Sequence, residues 1–170
     1  MSALGLVGLC TCGLDHVTVS ADGKATVAKA TLIEQLLGGA LDFTGLDSID
    51  FSEQFQNQGV TKDEVDGVHV SSFTLAIDAP KDGSFDFLDG IVVTASTDGE
   101  PTIEIASLDA VPKGAHQLTL NVDENADLAP YVTAPSMTIG ATVKGHRPAE
   151  DTDISAHVEL DVDVHVPGCN

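Results

Sequence analysis

Basic side chains are the scarcest feature of this sequence, which has seven Lys and Arg against 27 Asp and Glu in 170 residues. The formal net charge of −20 repels phosphate groups and anionic lipid headgroups. We therefore predict that the protein binds no nucleic acid and does not dock on membranes through a basic patch. The excess of carboxylates favours solubility, above all in a salty medium where ions screen the self-repulsion. Binding of divalent cations or of a basic partner is the alternative.

Catalytic signatures and long apolar runs are missing as well. The sequence contains no G-x-S-x-G, no H-E-x-x-H, no glycine-rich phosphate loop and no C-x-x-C. With Arg147 as its single arginine, it lacks the guanidinium groups that commonly clamp anionic substrates. No segment approaches the roughly 20 apolar residues of a membrane-spanning helix. The sequence thus predicts neither an enzyme nor an integral membrane span.

The three cysteines, Cys10, Cys12 and Cys169, stand near the two ends of the sequence. A disulfide from Cys169 to either of the others would close a very long loop, which gains most in the chain-entropy account of disulfide stability. One thiol would be left over, and a metal site made of thiolates alone needs more cysteines than the sequence has. The disulfide is the favoured prediction, and it implies an oxidising compartment, as for a secreted or cell-envelope protein.

Residues 1–14 form an apolar N-terminal arm without a basic start, which makes them a poor match to a complete signal peptide. The side chains predicted to contact a neighbouring subunit are Leu4, Leu6, Val7 and Leu9. A lipid anchor at Cys10 or Cys12 is an alternative, but Leu9 and Thr11 stand where such sites usually have a small residue. We favour a structural arm that packs on its own domain or adds a strand to another subunit, with the end of a signal segment as the alternative.

Strand-forming residues dominate the rest of the chain. Aromatic residues make up only 4% of the sequence, so that Val, Leu, Ile and Ala carry most of its 42% hydrophobic fraction. About eight segments alternate apolar and polar residues, and turn residues separate them. Full-length helices do not alternate with these strands. The pattern predicts an all-β fold, an antiparallel β-sandwich (Ig-like or related) with one or two short helical turns, as one domain over residues 15–170.

Two local motifs predict turns. Asp22-Gly23 divides an alternating run, and this dipeptide is a strong signal for a two-residue hairpin loop. Thr61 and Glu64 have the spacing of a capping box, which predicts one helical turn that ends at Gly67.

Two further motifs predict irregularities at the edge of the core. The apolar parity changes at Ser71-Ser72, which indicates a bulge or bend within a long strand. Phe85, Phe87 and Leu88 follow a loop rich in Pro and Gly, and we expect them to fold back over the end of the core.

The segment 153–166 alternates without a break and carries the first candidate metal site. Its polar row consists of Asp153, Ser155, His157, Glu159, Asp161, Asp163 and His165. The pairs His157 with Glu159 and Asp163 with His165 each supply half of a metal site, and His69 is a candidate third ligand. A solvated face of an antiparallel sheet explains the same alternation, and we favour that interpretation.

A second candidate metal site lies at Asp123, Asn125 and Asp127, which are spaced like the first three ligands of a calcium loop. Leu128 and Ala134 stand where an EF-hand needs Gly and Glu, so this is not an EF-hand. A looser Ca²⁺ site remains an alternative to an Asx-turn followed by a helical turn that Asp123 or Asn125 caps. Apart from Ca²⁺, the sequence predicts no cofactor.

These observations predict a non-enzymatic, secreted or cell-envelope β-sandwich that acts as a structural, adhesive or assembly subunit. Its partner would be another protein or a second copy. The alternatives are a module that binds an apolar ligand or lipid between its sheets, because the core is rich in small and β-branched residues, and a domain that binds a divalent metal.

Overall fold

The structure is a computed structural model that describes residues 16–31, 57 and 59–165. The predicted arm with Leu4, Leu6, Val7 and Leu9 lies outside the described residues, as do Cys10, Cys12 and Cys169. In the described part, no helix is long and apolar enough to cross a membrane.

Eight strands form two four-stranded antiparallel sheets that pack as a β-sandwich, which confirms the predicted fold class. Sheet A has the order β1 (His16–Val27), β8 (Thr152–Val164), β2 (Val65–Ala79) and β5 (Gln117–Thr119). Sheet B has the order β6 (Asn121–Val122), β4 (Ile103–Leu108), β3 (Leu88–Ser96) and β7 (Thr138–Gly145). The short helical segments described are two 3₁₀ turns, Lys62–Glu64 and Phe85–Phe87, and the α-helix α1, Ala129–Val132.

Strand β8 is the central element of sheet A, because it pairs with β1 on one side and with β2 on the other. The side chains that it directs into the core are all buried: Ile154, Ala156, Val158, Leu160 and Val162. Burial of one face therefore accounts for the unbroken alternation of the sequence. The strand runs along one sheet over its whole length and does not bend into the second sheet.

Strand β1 corrects the predicted hairpin at Asp22-Gly23. The two residues lie within one continuous strand and pair with His157 and Ala156 of β8. In a two-residue hairpin, Lys24 would stand opposite Ala21 on the same face of the sheet. Since Ala21 is buried in the core, that arrangement would bury the lysine ammonium, and the continuous strand keeps it in solvent.

Strand β2 confirms the predicted bulge and half of the predicted turn. Its register against β8 shifts between Val70 and Ser72, where the sequence changes parity. Before it, Glu64 accepts hydrogen bonds from the backbone N–H and the hydroxyl of Thr61, at 2.9 and 2.8 Å. The turn ends at Glu64, not at Gly67, because β2 already begins at Val65; Gly67 lies at another register shift within the strand.

The chain between the sheets closes the ends of the core. Phe85, Phe87 and Leu88 are buried as predicted, and the two rings lie 6.0 Å apart. Strand β5 belongs to sheet A and β6 to sheet B, and buried Leu120 connects them. The Leu120 N–H donates to the carbonyl of Phe73 at 2.9 Å. This bond ties the chain to β2 at the point where it passes from sheet A to sheet B.

Candidate functional site

The candidate site is the outer face of sheet A, where the polar row of β8 lies between the polar faces of β1 and β2. Because the sheet is antiparallel and β1 shows no register shift, each outward residue of β8 lies beside an outward residue of β1. The row is exposed or half-buried along its length. Histidine and carboxylate side chains therefore meet across strands, whereas the predicted half sites paired neighbours along one strand.

His16 joins the first described strand to the last. Its Nδ1 lies 2.7 Å from Oδ1 of Asp163, and its Nε2 lies 3.8 Å from Oδ2 of Asp161. The hydrogen bond to Asp163 is the main cause that raises the pKa of His16, and the charges of both carboxylates act in the same direction. Thr18 adds a bond from its hydroxyl to Asp161 at 3.2 Å.

His157 makes a second junction between the same strands. Its Nδ1 lies 2.7 Å from Oδ1 of Asp22 on β1, and its Nε2 lies 3.7 Å from Oε1 of Glu159. The hydrogen bond to Asp22 is the main reason why the pKa of His157 is raised, with a smaller contribution from Glu159. The imidazolium form is thus favoured at the slightly acidic end of the physiological range.

His165 and His69 have separate partners on this side of the molecule. His165 places its Nδ1 2.8 Å from Oδ1 of Asp66, and its backbone N–H donates to the carbonyl of Glu64. His69 instead lies 3.2 Å from the carbonyl of Ala126 through its Nδ1. The predicted third ligand therefore contacts the loop before α1 through its Nδ1, while its register on β2 places it opposite Asp161 of the polar row.

The candidate metal ligands of the polar row are paired with other side chains, mostly across strands. His157 contacts Asp22 and Glu159, Asp163 contacts His16, and His165 contacts Asp66. Within the ranges that the structure describes, no three His, Cys, Asp or Glu side chains are arranged to hold a metal ion. The predicted pair of His157 and Glu159 is brought together, whereas Asp163 and His165 have partners on different strands.

The second candidate, the loop with Asp123, Asn125 and Asp127, forms turns. Asp123 accepts a bond from the backbone N–H of Asn125 at 3.0 Å, which makes the predicted Asx-turn. Neither Asp123 nor Asn125 caps α1: its N-cap position is Leu128, and the Oδ1 of Asp127 accepts from the N–H of Ala129 at 2.9 Å. The same oxygen accepts from the N–H of Val68 at 3.1 Å, so that Asp127 ties the loop to β2.

Pro130 lies inside α1. It stands at the first turn of the helix, where a missing backbone N–H has no intrahelical partner to lose. Asp123 and Asp127 of the loop thus accept hydrogen bonds from backbone donors, and a Ca²⁺ site here stays a prediction.

A groove of about 350 Å³ opens at one end of the sandwich, between the loops around Asp82 and Glu150. Its lining mixes three carboxylates, His146 and small residues with Phe87. One of the carboxylates, Asp86, accepts from the N–H of Gly114 at 2.7 Å, which lowers its pKa. This groove is open and lies at one end of the sandwich, and a site for an apolar ligand between the sheets stays a prediction.

Comparisons with known proteins do not identify the chain: no protein family model matches it, and no curated protein has a matching sequence.

Sequence reasoning missed the partners of the polar row on β1, namely His16 and Asp22. The alternation of the sequence places both residues on the outward face of β1. The predicted hairpin at Asp22-Gly23 broke this strand in two, so the pairing with β8 was not predicted.

Proposed function

We propose that the protein is a non-enzymatic structural subunit, secreted or in the cell envelope, that assembles with further copies of itself through the open edge of sheet A. The proposal rests on one observation, the length and regularity of the edge strand β1. Open strand edges expose backbone donors and acceptors that a strand of another chain can satisfy.

Strand β1 has the features of an edge that can accept a partner. All twelve of its residues pair with β8 without a register shift. No strand in the described ranges pairs with its other side. Its core-facing residues Val19, Ala21, Ala25 and Val27 are buried, so the strand is fixed in place while its outward row stays exposed.

The other three edges of the sandwich are poorer acceptors. Strands β5 and β6 have three and two residues, too few for stable addition. Strand β7 has eight residues, fewer than the twelve of β1, and it ends at Gly145 with a φ of +150°. Short strands are a usual protection against edge pairing, and β1, with twelve residues, is the longest edge strand that the structure describes.

The N-terminal arm extends the same proposal to residues outside the structure. Residues 1–14 precede β1 directly, and the apolar side chains of Leu4, Leu6, Val7 and Leu9 fit packing against a neighbouring subunit. A disulfide that joins Cys169 to Cys10 or Cys12 would fix this arm near β8, in line with an oxidising compartment.

The test is the mass of the full chain in solution, measured by native mass spectrometry and light scattering across about a hundredfold range of concentration. Self-association that rises with concentration, without added mass from small molecules, supports the proposal. A monomer at every concentration overturns it. A monomer that carries an apolar molecule or a metal ion would favour the ligand-binding or metal-binding alternative.

A further inference from the structure

Two opposite charges flank Gly23 in the outward row of β1: Asp22 before it and Lys24 after it. Lys24 is exposed and has no ion-pair partner in the part of the chain that the structure describes. Asp22 holds His157, yet its side chain remains 83% exposed. Both charges are therefore available to a chain that approaches along the open edge.

We propose that two copies of the chain pair antiparallel through β1, about a two-fold axis at Gly23, to make one continuous eight-stranded sheet. This inference rests on the proposed function and names the contact by which the subunits assemble. In this register Asp22 of each copy stands directly opposite Lys24 of the other, which gives two equivalent ion pairs.

The other residues of the contact suit the same register. Ser20 then faces Thr26 of the second copy on the outer side. On the core side, Val19 faces Val27 and Ala21 faces Ala25. Polar residues thus meet polar ones and apolar residues meet apolar ones, so each face of the sheet continues across the axis.

Neighbouring two-fold registers lose these ion pairs. An axis at Asp22 would place two aspartates opposite each other, and an axis at Lys24 would place two lysines opposite each other; both arrangements repel. An axis at Ala21 would leave Asp22 opposite Ser20 and Lys24 opposite Thr18. Of these axes, only the one at Gly23 places each Asp22 opposite a Lys24. The two charges therefore select this register of the paired strands.

The extent of the pairing is adequate for a specific contact. The register joins nine residues of each copy, from Val19 to Val27. Alternate pairs exchange two hydrogen bonds in an antiparallel ladder, which gives about eight to ten backbone bonds. Typical protein interfaces have about ten. The net charge of −20 on each copy opposes association at long range, so near-physiological salt favours the contact.

The experiment uses two charge reversals, Lys24→Asp and Asp22→Lys, in the full chain at about 0.15 M salt. Each variant alone converts both ion pairs into like-charge contacts, and we expect its dimer dissociation constant to rise about tenfold or more. The matched control is Lys144→Asp, the same reversal on edge strand β7, which should leave the constant unchanged. Circular dichroism melting verifies that each variant is folded.

Mixing the two variants gives the decisive measurement. One copy then carries lysine at both positions and the other aspartate at both, so each charge faces its opposite across the axis. With one variant labelled with ¹⁵N, native mass spectrometry should show heterodimers in clear excess over both homodimers.

The results separate this inference from the proposed function. Self-association that neither reversal weakens, or a mixture that forms no excess of heterodimer, overturns the axis at Gly23 while the assembly proposal stands. A wild-type chain that never self-associates overturns both.

Discussion

The two sheets of this sandwich reach stability by different means. Sheet A has three strands of 12 to 15 residues, with polar side chains that pair across strands on its outer face. Sheet B has strands of two to nine residues and depends on close approach of backbone, as at Gly90 and Gly145. Sheet A therefore presents a long row of paired polar side chains to solvent, whereas sheet B mainly covers the core.

The largest expected effect compares a buried isoleucine at the centre of sheet A with one at the edge of sheet B. We expect Ile154→Ala in β8 to reduce the free energy of unfolding by about 4 kcal/mol, and Ile139→Ala in β7 by about 2 kcal/mol. Both side chains are buried, but an edge strand can relax toward the cavity more easily. Urea denaturation measures both values. Equal losses would contradict the central role of β8.

A second prediction concerns the backbone contact in sheet B. Gly145 has a positive φ, and an added Cβ would collide with the carbonyl oxygen of Phe87. We expect Gly145→Ala to lower the free energy of unfolding by more than about 2 kcal/mol. The control is Gly99→Ala, because Gly99 also has a positive φ but nothing within 4 Å of the added atom. It should cost about 1 kcal/mol, the strain of the backbone alone. Equal thermal shifts would show that crowding is unimportant there.

A smaller effect is expected at the connection between sheet A and α1. Asp127→Ala removes an acceptor shared by the N–H groups of Val68 and Ala129. The loss should be about 1–2 kcal/mol, because two backbone donors lose their acceptor. Glu124→Ala removes the same charge from the same loop and should change stability by less than about 0.5 kcal/mol. Chemical denaturation of both variants separates the loss of these hydrogen bonds from a general effect of charge.

The smallest effect, and the one specific to sheet A, depends on pH. The folded pKa of His157 is raised by Asp22, so its contribution is fully present below the unfolded pKa of about 6.5 and is lost as pH rises through the folded pKa. The stability difference between the native chain and His157→Gln should therefore be largest near pH 6 and shrink toward pH 9. It should stay below about 1 kcal/mol, as for other exposed pairs.

Salt and a control histidine sharpen that measurement. Raising NaCl to about 1 M should reduce the difference at pH 6, because ions screen exposed charges. His146→Gln lies in the end groove and reports the general cost of losing a histidine. Thermal melts across the pH range would contradict the assignment to Asp22 if both variants gave the same profile.

Sequence reasoning succeeded where the signal is periodic and local. The alternation of residues 153–166 predicted a strand with one buried face, and the parity change at Ser71-Ser72 located the bulge. The spacing of Thr61 and Glu64 predicted the capped turn. Each of these depends on the pattern within a few residues, which the core or the local backbone determines directly.

Sequence reasoning failed where pairing with a distant strand determines the local structure. Asp22-Gly23 has a strong turn propensity, but β8 and the core hold it in a strand, and burial outweighs the preference of the dipeptide. The pairing of His16 with Asp163 joins residues far apart in sequence, so no local spacing predicts it. The passage of the chain from sheet A to sheet B at Leu120 is likewise held by a hydrogen bond to Phe73, and the alternation of its own segment does not predict that bond.

The position of β8 between β1 and β2 affects how the protein is synthesised. Sheet A cannot close until residues 152–164 have left the ribosome, since the two flanking strands have no direct contact as neighbours in the sheet. At typical translation rates, β1 then waits roughly ten to thirty seconds for its partner. During that time its alternating backbone is unpaired and prone to misassociation, so the nascent chain should depend on chaperones more than a sandwich whose sheets form from consecutive hairpins.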